Sequence, residues 1–88
     1  MEKNKSRKQG QAKDLVPGML VIINLDHRYD FMIWGGQDLN DSRAHPIHGR
    51  IWIEKYSIGL LIKDGLNCYA VLAGENTIIV PKNWCECL

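Results

Sequence analysis

From residue 17 onward, Gly, Pro, Asn and Asp cut the chain into short apolar runs whose dominant period is two. A period of two belongs to half-buried strands, and punctuation this frequent leaves no room for a long helix. Pro17-Gly18 opens the first run, where Met19, Val21, Ile23 and Leu25 share one face while Asn24 and Asp26 mark the other. In the run from Ile51 to Ile62 the residues Ile51 and Ile53 have one parity and Ile58, Leu60 and Ile62 the other, so a break is expected near Lys55 to Ser57. Asp64-Gly65 and Gly74-Glu75-Asn76 bracket a third strand from Cys68 to Ala73. Thr77 to Val80 is strongly β-branched and is stopped by Pro81, and Trp84 to Leu88 supplies a closing strand. The expected core includes Val21, Ile23, Leu60, Ile62, Val71, Val80 and Cys85.

An 88-residue chain holds one small domain. Five short strands in about 70 residues are too few for a two-sheet sandwich, so the predicted fold is all-β, a small five-stranded, partly open barrel that hides most of its edges. Residues 26 to 50 are too long for a simple connection. They are read as a long loop or hairpin arm after the first strand, with Tyr29 to Trp34 as one arm and a mobile polar tip within Gln37 to Gly49.

The net charge of +1 conceals a division. Residues 1 to 14 carry Lys3, Lys5, Arg7, Lys8 and Lys13 against Glu2 and Asp14, a surplus of three positive charges, with almost no apolar content. They are expected to form a flexible basic arm that contacts nucleic acid or an acidic protein surface, or serves only solubility. Residues 15 to 88 form the domain proper and are mildly acidic, six basic residues against eight. No stretch approaches the ~20 apolar residues of a membrane span, and the Lys-rich N-terminus lacks the apolar segment of a signal peptide. A cytosolic chain without membrane attachment is expected. Three cysteines, two of them one residue apart, suit reduced thiols better than a disulfide framework.

The run Thr77-Ile78-Ile79-Val80-Pro81-Lys82-Asn83-Trp84-Cys85-Glu86 resembles the end of an SH3 domain, where an apolar strand is followed by Pro, any residue, Asn, an aromatic and a buried aliphatic. Val16-Pro17-Gly18-Met19-Leu20-Val21, Ile58-Gly59-Leu60-Leu61-Ile62 and Tyr69-Ala70-Val71-Leu72 are similar to the opening and middle strands of prokaryotic SH3-like and KOW-like barrels. Together these segments cover residues 16 to 25 and 57 to 88. Small proteins of this pattern are common in tailed-phage genomes, which makes a phage accessory or virion protein, in the host cytoplasm or the virion, part of the expectation. The resemblance implies a peptide groove using Pro81 and Trp84, with acidic Asp26, Asp30, Asp38 and Asp41 in the region of the loop that contacts basic ligand residues. The Ala-Leu-Tyr-Asp-Tyr segment of such domains is missing between Val21 and Tyr29, and their tryptophan pair is replaced by Asn67, Cys68 or Tyr69. Recognition of a polyproline helix depends on those parallel aromatic ridges.

No Gly-rich phosphate loop, G-x-S-x-G or H-E-x-x-H is present, so no catalytic residue, metal site or cofactor is assigned. Cys85-x-Cys87 with Cys68 could form part of a zinc set, but the one-residue spacing favours a core role for Cys85. His45 and His48 lack a partner motif. The partner-binding surface is expected around Tyr29, Trp34, Pro81 and Trp84, because surplus Trp and Tyr act as interface anchors. The function expected is a noncatalytic protein-interaction or assembly module, binding a protein partner or a second copy. The alternative is a nucleic-acid-binding barrel with phosphate contacts from Lys3, Lys5, Arg7, Lys8 and Lys13.

Overall fold

A computed structural model describes residues 15–40 and 48–88. The described residues are predominantly β, with seven strands: β1 (Leu20–Ile23), β2 (Tyr29–Met32), β3 (Arg50–Ile53), β4 (Ile58–Asp64), β5 (Cys68–Ala73), β6 (Asn76–Pro81) and β7 (Cys85–Cys87). Five form an antiparallel sheet in the order β6-β5-β4-β1-β7, and β2 and β3 form a separate two-stranded ribbon. A 3-10 turn, Lys82–Trp84, separates β6 from β7. The five-stranded part and the hairpin arm follow the reading of the sequence. Ile51 to Ile53, however, belong to the ribbon, pairing with Tyr29–Phe31 instead of leading into β4.

Local chemistry accounts for the turns. Met19 N–H donates to the Val16 carbonyl across Pro17-Gly18, with Gly18 at φ 98°, so Pro sits where its fixed φ helps and Gly where φ must be positive. The β5–β6 hairpin is closed by Gly74-Glu75, with Gly74 at φ 68°. The break expected near Lys55 is a turn in which Tyr56 adopts φ 53°, a costly region for a side chain. It is held there by bonds from Tyr56 N–H to the Leu25 carbonyl and from Ser57 Oγ to the Glu54 carbonyl.

The core gathers Leu15, Val21, Ile23, Phe31, Ile53, Leu61, Tyr69, Val71, Ala73, Ile78, Val80 and Cys85. On β4 the expected parity is reversed: Leu61 is fully buried and Ile62 is 38% exposed, with Ile58 more exposed still and Leu60 half-buried. Leu60 and Ile62 are therefore not core residues. The inward position ahead of Leu61 is Gly59, where a β-carbon would lie 2.5 Å from Val71 Cγ1 and 2.7 Å from the Leu72 carbonyl oxygen. A sequence pattern that counts only large side chains reads that inward glycine as a gap and chooses the wrong face. The register then shifts between Leu61 and Lys63, leaving Ile62 as the extra residue of a bulge.

Two measurements check this core. In urea unfolding, Gly59→Ala should cost ~1–3 kcal/mol through overpacking and Leu61→Ala ~2–5 kcal/mol through a cavity, while Ile62→Ala should cost under ~1 kcal/mol. Burial also pushes the Cys85 thiol up to about 12 from an ordinary value of 9.0. Because the folded state holds that proton more tightly, stability is fully present below pH 9 and declines as pH rises from there toward 12, by at most ~1.4 kcal/mol per pH unit. Cys85→Val should flatten that part of the alkaline decline, measured as unfolding free energy against pH beside the wild type.

Candidate functional site

Among the described residues, backbone pairing joins the ribbon to the five-stranded sheet at one place. Ile33 bridges to Ile78 of β6, and Trp34 N–H donates to the Thr77 carbonyl at 2.7 Å. Beyond that bridge β2 and β6 form no further ladder, and a groove of about 420 Å³ lies between them. Its lining combines Tyr29, Phe31 and Trp84 with Met32, Ile79 and Pro81, and the polar residues Asp30, Arg50, Asn67 and Cys68.

The aromatic wall is a packed cluster. The Tyr29 and Trp84 rings meet edge to face at 5.0 Å and 84°, Phe31 lies 4.9 Å from Tyr29, and Phe31 to Trp84 is 5.9 Å. Such geometry places the positive ring edge on the negative face and stiffens the wall. Trp84 is carried by the 3-10 turn, which Pro81 enters at φ −56°. The turn is pinned by Lys82 N–H donating to the Asn67 carbonyl and by Asn24 N–H donating to the Trp84 carbonyl. Pro81, having no N–H, can occupy this strand end without leaving a donor unpaired.

Charge sits at the margins. Arg50 grips Asp30 through Nε to the carboxylate at 3.0 Å and Nη2 to the backbone carbonyl at 2.8 Å, so Asp30 enters the site already paired. Lys82 Nζ lies 2.8 Å from Asp64 and 5.0 Å from the Tyr69 ring centre, and its hydrogen bond to Asp64 raises its pKa. Cys68 faces the groove with its Sγ 3.4 Å from the Leu39 carbonyl, and burial raises its pKa, which suppresses thiolate character. Asp26 is held below the ordinary carboxylate range by a hydrogen bond from exposed His27.

Tyr29, Pro81 and Trp84, three of the residues expected at a partner surface, thus lie along one groove. Trp34 stands apart from it: its Nε1 donates to the Gln37 carbonyl at 2.7 Å, fastening the segment that follows β2. Asp38 accepts from Asn40 N–H, a local turn away from the groove. Lys3, Lys5, Arg7, Lys8, Lys13, Asp41 and His45 lie outside the described residues. Cys68 occupies the outward face of β5 and Cys85 the buried face of β7, so the three thiols do not converge. Among the described residues no three metal-ligating side chains cluster. No described helix is long and apolar enough to cross a membrane.

Sequence reasoning missed Met32, Ile79 and the Asp30–Arg50 pair. Opposite charges on facing strands would signal that pair only once the β2–β3 register is known. Set against protein-family models, curated proteins and solved structures, the chain matches none of them.

Proposed function

We propose that the domain is a noncatalytic protein-interaction or assembly module of SH3-like architecture, binding an extended segment of a partner protein in the groove between β2 and β6. The observation that carries this reading is the convergence of Tyr29, Pro81 and Trp84 on one apolar groove with a pinned aromatic wall. Rigid aromatics offer large contact area at little entropic cost, and concave apolar surface with a few polar groups is where ligands bind. The chain order of strand, hairpin arm, three antiparallel strands, Pro-led 3-10 turn and closing strand supports the SH3-like reading, as does the Pro81-x-Asn83-Trp84 turn flanking the groove. A phage assembly as the setting is part of the same proposal.

The groove has one aromatic wall, with Met32, Ile79, Pro81 and Cys68 in the rest of its lining, in place of parallel aromatic ridges. That composition favours an apolar extended peptide over a strict polyproline helix. The prior pairing of Asp30 by Arg50 gives the groove a fixed polar margin, as a binding surface needs.

The test is a random-peptide selection on the immobilised domain, followed by titration calorimetry with a selected peptide. Tyr29→Ala should weaken binding by roughly 30-fold, the ~2 kcal/mol of a lost anchor, with a melting temperature within a few degrees of wild type. Leu20→Ala, outside the groove, should leave affinity unchanged. Peptides indifferent to Tyr29 would contradict the groove assignment. A DNA or RNA complex that dissolves steeply with salt and ignores Tyr29 would transfer the function to the basic N-terminal residues.

A further inference from the structure

A solvated sheet face alternates apolar-in with polar-out, but the outward register of β1 and β4 is apolar as well. Leu20 pairs with Leu60 and Leu60 with Leu72, while Ile22 pairs with Ile58 in the neighbouring row. Leu20 is 54% exposed and Ile58 51%, and Ile62 joins them at the bulge. On the β5–β6 half of the same face the chain supplies its own cover. Outward-facing Ala70 is fully buried, and residues 34–40 are tied across by Trp34 N–H to Thr77, Cys68 to Leu39, and Leu66 N–H to Asn40 Oδ1. The β1–β4 half has no such strap among the described residues. Residues 1–14 and 41–47 contain only Met1 and Ile47 as large apolar side chains, too few to match it. Single-copy domains rarely leave a contiguous apolar patch beyond a few hundred Å² open.

The charges at the two ends of this face select its occupant. Glu86 lies opposite Ile22 on β7, at one corner. Lys63 lies opposite Ala70 at the far end of β4, and the bulge turns Ile62 and Lys63 to the same side. The Leu20–Leu60 row is midway between the two corners. A two-fold axis lying in the plane of the face and passing through that row would exchange the corners, setting Glu86 of each copy against Lys63 of the other and packing Leu20, Ile58 and Leu60 between them. An apolar surface with an acid at one end and a base at the other is complementary to itself, which is what an isologous interface requires.

We infer that the outer face of β1 and β4 is a homodimer interface, formed by a second copy of this chain packed sheet to sheet with reciprocal Glu86–Lys63 contacts. It is separate from the groove and does not depend on what the groove binds. Sedimentation equilibrium of the full chain at roughly 100 µM should give a dimer, within reach of a micromolar interface. Leu20→Glu and Ile58→Lys, at positions already more than half exposed, should each give monomers with an unchanged circular-dichroism spectrum. Lys63→Glu and Glu86→Lys should each weaken association by roughly five-fold, and the double exchange should restore it. A monomeric wild type, including one that binds a different protein through this face, would overturn the inference. So would a dimer that survives in the folded Leu20 or Ile58 variant, or a double exchange no tighter than its single parents.

Discussion

The bridge between Ile33 and Ile78, with the hydrogen bond from Trp34 N–H to the Thr77 carbonyl, is among the described residues the only backbone ladder joining the ribbon to the five-stranded sheet. Everything at the candidate site depends on it. Phe31 and Ile53 of the ribbon reach the common core from this hinge point, and the aromatic wall of the groove consists of two ribbon residues, Tyr29 and Phe31, leaning on Trp84 from near the other end of the chain. Were the bridge extended by several more pairs, β2 and β6 would zip together and the groove would close. Were it absent, the wall would lose its fixed distance to Ile79 and Pro81. A short bridge followed by divergence is what makes a preformed groove from two strands.

The second constraint is space at Gly59. Its backbone approaches β5 so closely that the place of a side chain is taken by Val71, and this permits Leu61 to fill the centre of the sheet. The same arrangement sends Ile58, Leu60 and Ile62 outward. An inward glycine and an outward apolar row are thus one feature seen from two sides, and the second side is the proposed contact between copies.

Much of the fold was legible in the sequence because its information is local. Pro17-Gly18, Gly74 and Pro81 specify turns by backbone stereochemistry, and the parity of Val21, Ile23, Val71 and Val80 names the inner face unaided. The reversed parity of β4 was not legible, since it rests on one side chain that is missing and on contact with a strand about twelve residues away. At the site, Pro81 and Trp84 are adjacent in a recognisable turn, and their role as neighbours of Tyr29 could be expected. Met32, Ile79 and Arg50 could not, because only the register Met32↔Arg50 and the single Ile33↔Ile78 bridge bring them together. Trp34 shows the limit of reading aromatics as anchors: its indole is spent on the Gln37 carbonyl, within its own loop.

The domain therefore presents two surfaces of different origin, a groove made by strand divergence and a flat face made by an inward glycine. The groove requires the ribbon and the sheet to behave as one body. Native-state hydrogen exchange at the Trp34 amide tests that most directly, because this N–H bonds across the junction to Thr77. Protection approaching that of the Val71 amide in the central strand β5 is expected, with exchange requiring near-global unfolding. A Trp34 amide that exchanges freely while the Val71 amide stays protected would show the ribbon detaching on its own, and the groove would then not be preformed.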